Sequence, residues 1–176
     1  GNLYMEGGDT WYYDQQYNPT PVHPMFMIDG IEDGAGDLSQ ELGMEGTMCA
    51  GMDYDYSGEN NYIDQIDEMQ GSQVIFMNAS PQYGTVVSYD GEDYNTIGSA
   101  FEFGGLEDSE YTKDDLMIQY LTFFGLEGIW VSVDEPGSNR EDTFLSIYPN
   151  PVRSEASLDL KIANDSEVTI DLLTID

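Results

Sequence analysis

The stretch from Gly71 to Gly125 does most to limit what this chain can fold into. It opens with Gln73-Val74-Ile75-Phe76-Met77, an apolar run of the length of a buried strand. Gly84 to Tyr89 repeats that texture across a turn containing Pro81. Asp90-Gly91 then makes a polar corner before Tyr94 to Phe103, which is rich in aromatic and β-branched residues. After Gly104-Gly105 comes a helix start. Thr112 stands where an N-cap hydroxyl belongs, and Asp115 three residues on completes a capping box. Asp114 and Asp115 place negative charge at the positive end of the helix dipole. Leu116, Met117, Tyr120, Leu121 and Phe124 recur at helical spacing, and Gly125 supplies a stop. Three strands and a helix with one apolar face predict an α/β layer. They name no reaction.

Charge narrows the partners. The chain carries 35 acidic residues against four basic ones (Lys113, Arg140, Arg153 and Lys161), a net charge of −31. Such a surface repels phosphate backbones and anionic headgroups, which argues against nucleic-acid and membrane-surface binding. Three readings of the acidity stay open: a solvating surface for a saline environment, a set of cation sites, or plain solubility. Apolar residues at 40% and aromatics at 12% are enough for a packed core, so wholesale disorder is not expected. Cys49 is the single cysteine, which rules out an internal disulfide. No apolar run reaches the ~20 residues of a membrane-spanning helix. The chain opens at Gly1-Asn2-Leu3-Tyr4 with no initiator Met and no signal peptide, and is expected to be a fragment. Oligomeric state is not legible.

Before the central stretch, Asn2 to Glu6 reads as a strand running into the Gly7-Gly8-Asp9 turn, and Trp11 to Asp14 as an aromatic loop. Asn18 to Pro24 holds three prolines and His23 and is expected to be extended or turn-like. Asp29 to Gly36 reads as acidic loop. Asp37 to Gly43 is expected to be a short helix capped by Asp37. Tyr62, Ile63, Ile66 and Met69 suggest a short amphipathic turn of helix. After Gly125, Gly128 to Val133 is a strand candidate and Asp134 to Asp142 has linker composition. Phe144 to Tyr148 reads as a strand cut off by Pro149-Asn150-Pro151. Ala156 to Ile162 and Val168 to Leu172 each alternate apolar with polar, an antiparallel pattern with one wet face. The expected organisation is therefore an α/β domain fragment over 1–126, a linker over 127–143 and a β unit over 144–176, too short to close a sandwich.

Two stretches resemble known families. Leu145-Ser146-Ile147-Tyr148-Pro149-Asn150-Pro151-Val152, followed by alternating strands, resembles the start of the C-terminal sorting domain of the Bacteroidetes type IX secretion system. The resemblance rests on Tyr148, Pro149, Asn150 and Pro151 and covers about the last 33 residues. It implies a truncated immunoglobulin-like sandwich and type IX secretion machinery as partner. It also implies a destination outside the cell or on the outer-membrane surface. The later glycine- and lysine-containing motifs of that domain do not occur before the chain ends. The first part looks like a fragment of a glutamine-amidotransferase-like α/β domain of exported Bacteroidetes proteins. That likeness rests on Gly1 to Trp11, the pair His23-Pro24, and Thr96-Ile97-Gly98-Ser99 to Gly104-Gly105-Leu106. It implies a three-layer, flavodoxin-like sheet. Catalytic members carry a nucleophile on the tight turn after a strand, where this chain has Gly7-Gly8, with no thiol or hydroxyl to attack.

The remaining candidates are few. Cys49 in Gly46-Thr47-Met48-Cys49-Ala50-Gly51 has the wrong spacing for a Gly-x-Cys-x-Gly elbow and reads as a small buried residue. His23 is the single histidine, so any histidine base is this one; a packed histidine is the plainer reading. One His and one Cys do not make a zinc site. Asp53, Asp55, Ser57 and Glu59, with Gly58 for the turn and Asp64 closing the frame, have the spacing of a calcium-binding loop. The alternative is a solvated acidic loop. Trp11, Tyr12, Tyr13 and Tyr17 make either a sugar-stacking platform or a core cap, with packing favoured. The sequence thus points to a non-catalytic region of a secreted or surface bacterial protein carrying the start of a sorting signal. It assigns no catalytic residue and names calcium as the one cofactor candidate. The alternatives are a peptidase-like hydrolase using His23 or Cys49, and a calcium-dependent binding module.

Overall fold

A computed structural model of the chain describes residues 1–126, 144–148 and 157–161. The chain divides into two compact units, Gly1–Ile129 and Trp130–Asp176. In chain order the strands of the first unit are β1 (Asn2–Glu6), β2 (Ile28–Glu32), β3 (Gln40–Gly43), β4 (Asp53–Tyr56), β5 (Gln65–Glu68), β6 (Ser72–Asn78), β7 (Tyr83–Asp90), β8 (Asn95–Ser99) and β9 (Leu106–Glu107). Its helices are α1 (Tyr13–Tyr17) and α2 (Lys113–Phe123), with a 3-10 turn at His23–Phe26.

The strands form one curled mixed sheet in the order β1-β8-β7-β6-β3-β4-β9. Strand β7 lies inside it between β8 and β6, and six consecutive residues from Tyr83 to Ser88 are buried. Two faces covered at once explain why Thr85-Val86-Val87 is an unbroken run rather than an alternation. The β6–β7 ladder slips register around Val74, Phe76 and Met77. Such irregularities bend a strand and increase its twist. Beside them β5 joins the sheet as a branch, pairing with β7 through Ile66 and Gly84 and with β2 along its length. The core gathers where these layers meet, with Trp11, Phe26, Ile75, Phe76, Ile97 and Phe101 all buried.

This architecture overturns the expected three-layer α/β fold. A three-layer fold needs parallel strands joined by helical crossovers that cover both faces of the sheet. Among the described residues β1 and β8 form the one parallel ladder, and every other ladder is antiparallel. Helix α1 has five residues and α2 follows the last strand of the unit, so neither serves as a repeated crossover. The unit is mostly β, and the flavodoxin-like expectation falls with it.

Four local expectations change, three of them for one shared reason. The first half of the expected acidic loop at Asp29–Gly36 is β2, and the expected helix at Asp37–Gly43 ends in β3. The expected helical turn at Tyr62–Met69 contains β5, and the aromatic loop at Trp11–Asp14 leads into α1. Strands β2, β3 and β5 are four or five residues long and owe their conformation to partners far away in sequence. Local pattern carries little of that information.

The helix expectation fares better. Thr112 Oγ1 accepts from the Asp115 N–H at 3.2 Å, and the Asp115 carboxylate accepts from the Thr112 N–H at 2.8 Å. At the other end the Leu126 N–H reaches the Leu121 carbonyl and the Gly125 N–H the Thr122 carbonyl, with Gly125 at φ +73°. That is the Schellman pattern. The docked face is narrower than the spacing predicted: Leu116 and Tyr120 are buried, whereas Met117 is exposed. Tyr120 packs on Tyr4 of β1 with ring centroids 5.8 Å apart.

In the second unit β10 (Phe144–Tyr148) pairs antiparallel with β11 (Ser157–Lys161), from Phe144↔Lys161 to Tyr148↔Ser157. The expected linker over 127–143, the strand candidates Gly128–Val133 and Val168–Leu172, and the motif residues Pro149, Asn150 and Pro151 lie outside the described residues. No described helix is long and apolar enough to cross a membrane.

Candidate functional site

Three segments meet at one end of the β2–β5 ladder. The last paired residues there are Glu32 and Gln65, so Asp33 leaves β2 beside Asp64 as it enters β5. The turn after β1 comes in against them, and the Asp64 N–H donates to the Gly8 carbonyl at 3.1 Å. Glycine makes this closeness possible. A Cβ at Gly8 would run into the Tyr62 carbonyl oxygen, and one at Gly34 into the Ile63 carbonyl oxygen. The result is a group in which one oxygen from each of Asp9, Asp33 and Asp64 lies within 4.8 Å of the others.

The three carboxylates are not equivalent. Asp64 is fully buried, while Asp9 and Asp33 are exposed. Asp64 Oδ2 accepts from the backbone N–H groups of Trp11 and Tyr12, each at 2.8 Å. This closes the turn that leads into α1. Asp64 Oδ1 is buried and has no hydrogen-bond partner. Burial pushes the Asp64 carboxyl up to about 6; the Trp11 and Tyr12 N–H groups pull it down, and the charges of Asp9 and Asp33 add to the rise. Asp9 is also raised, by burial first and then by Asp33 and Asp14. Asp33 Oδ1 accepts from the Gly34 N–H at 3.0 Å. These are the residues that could hold a cation.

The residues of the expected calcium loop are distributed otherwise. Asp53 and Asp55 lie on β4, whose alternation sends Tyr54 and Tyr56 into the core. An extended strand advances about 3.3 Å per residue and cannot curl successive acids around one ion. Asp53 accepts from Ser109 Oγ at 3.1 Å, Ser57 donates its N–H to the Gly105 carbonyl, and Glu59 Oε1 accepts from the Asn60 and Asn61 N–H groups. Among the described residues, the one acidic, His or Cys group of metal-site dimensions is Asp9, Asp33 and Asp64. Of the five expected ligands it includes Asp64 alone. Asp9 and Asp33 escaped sequence reasoning because they lie 24 and 31 residues from their neighbours in the cluster. The legible signal was each acid's place beside a glycine, in Gly8-Asp9 and Asp33-Gly34.

The nucleophile and base candidates are packed. Cys49 is fully buried and burial pushes its thiol up to about 12, so no thiolate forms near neutral pH. His23 is buried, edge-on to Trp11, and its Nδ1 accepts from the Thr20 N–H at 3.1 Å. Trp11 lies in the core and donates its indole N–H to the Ser99 carbonyl at 2.7 Å. Tyr13 and Tyr17, one helical turn apart on α1, stay exposed with ring centroids 4.8 Å apart. A groove of about 370 Å³ lies against Ile31, Ile66, Val74, Met77 and Tyr83. Its walls carry Asp67 and Glu68 but no histidine or cysteine.

No family model, curated protein or solved structure matches the chain, so the functional reading rests on the geometry.

Proposed function

We propose that the chain is a non-catalytic region of a secreted or cell-surface bacterial protein, and that its tail begins a type IX sorting domain. The observation that carries this is the β10–β11 hairpin. Tyr148 ends β10, and the sequence between β10 and β11 begins with Pro149-Asn150-Pro151. Antiparallel pairing on both sides of that motif is what the entry to a small β sandwich requires. The division of the chain at Ile129 supports a tail that folds as its own unit. Burial of Cys49 and of the Thr20-bonded His23 supports a body that serves as a scaffold.

Fusing residues 141 to the natural C-terminus onto a periplasmic reporter in a type IX-secreting host tests the address function. The reporter should reach the cell surface or the medium. It should stay inside when Pro149 and Pro151 are both changed to alanine. A reporter retained in the periplasm with the motif intact overturns the reading.

A further inference from the structure

We propose that Asp9, Asp33 and Asp64 bind a calcium ion that ties the turn after β1 to the β2–β5 ladder. Oxygens within 4.8 Å of one another can share one such ion. Calcium–oxygen distances are about 2.3–2.6 Å, so two ligands on opposite sides of the ion stand about 4.8 Å apart. All three side chains are hard oxygen donors, the type calcium takes. Two of them are exposed, which leaves room for the waters that complete six to eight ligands.

Asp64 carries the argument beyond an acidic cluster. Its Oδ2 already satisfies the Trp11 and Tyr12 N–H groups, which is all that closing the turn needs. Oδ1 has no such use; it is buried and unpartnered. A buried carboxylate oxygen without a partner is costly, and a cation in the cluster removes that cost. Among the described residues none is offered. Lys113 is the one Lys or Arg in Gly1–Ile129. Its ammonium lies 2.7 Å from the Leu106 carbonyl and 3.9 Å from Asp108. The rival is that Asp64 simply keeps its proton, which needs no ion and makes Asp64→Asn harmless.

The test uses the full chain after chelator treatment, at fixed ionic strength so that screening is constant. Calcium should raise Tm by several degrees and saturate. Asp9→Asn and Asp33→Asn, both at exposed positions, should abolish the rise without lowering the calcium-free Tm, because each relieves charge repulsion on Asp64. Asp53→Asn should keep the full rise. Terbium should bind in calcium's place with luminescence excited through tryptophan, and calcium should displace it. An absent Tm response overturns the proposal, as does a rise that survives in Asp9→Asn and Asp33→Asn. An equal response to magnesium overturns the assignment to calcium.

Discussion

Glu41 shows how far the interior of this acidic chain departs from its surface. It is fully buried on β3, with Thr85 Oγ1 donating to Oε2 at 2.5 Å and Oε1 without a partner. Burial pushes its carboxyl up to about 8, against the pull of the Thr85 bond. The folded chain therefore holds a proton at neutral pH that the unfolded chain, near the ordinary 4.5, has released. Where the native state binds the extra proton, stability falls as pH rises. The contribution is complete below about 4.5 and is lost as pH passes through about 8. Glu41→Gln removes the titrating group at nearly constant volume. Chemical denaturation at pH 7 and pH 9 should show the wild type losing more stability over that interval than the variant. At pH 9 the variant should be the more stable by a few kcal/mol, since each tenfold displacement of a proton equilibrium is about 1.4 kcal/mol. Parallel profiles for the two proteins would mean that Glu41 ionises freely in the fold.

At the scale of elements, legibility follows the range of the forces involved. Helix α2 was readable because its signals are local: the Thr112–Asp115 box, the Leu116–Tyr120 spacing and Gly125 all act within a turn or two. Strands β6 and β7 were readable because their burial gave them apolar runs, and β8 because it lies in a segment rich in aromatic and β-branched residues. Strands β2 to β5 were not. They are short and rich in acidic residues, and β4, Asp53-Tyr54-Asp55-Tyr56, alternates a core residue with a carboxylate that local propensity counts against a strand. Missing those four strands is what turned a mostly β unit into an expected α/β layer. The acid cluster was hidden by the same omission, because Asp33 and Asp64 become neighbours only through the β2–β5 pairing. The readable helix gives the sharper prediction. Thr112→Ala removes the acceptor for the Asp115 N–H and should lower stability by about 1 kcal/mol in urea unfolding, with an unchanged m value. A loss within error of zero would show that packing of Leu116 and Tyr120 holds the helix without its cap.

For the molecule as a whole the governing quantity is charge. With a net −31 and a single lysine in Gly1–Ile129, the chain has far too few cationic side chains to pair with its carboxylates. Compaction brings those charges closer, so self-repulsion weighs on the folded state more than on the open chain. Monovalent salt relieves it without any site, because the screening length falls from about 10 Å at 0.1 M to about 3 Å at 1 M. Sodium chloride should therefore raise Tm steadily across that range. The rise should be the same in wild type and in Asp33→Asn, since one charge among 35 hardly changes a screened surface. Calcium at constant ionic strength should separate the two proteins, because only one keeps the Asp9–Asp33–Asp64 group intact. Differential scanning fluorimetry over the two titrations distinguishes diffuse from site-bound cations. A Tm that stays flat in sodium chloride would mean that the acidic residues are already spaced far enough apart to fold without help. The extreme composition would then owe more to solubility than to a saline setting.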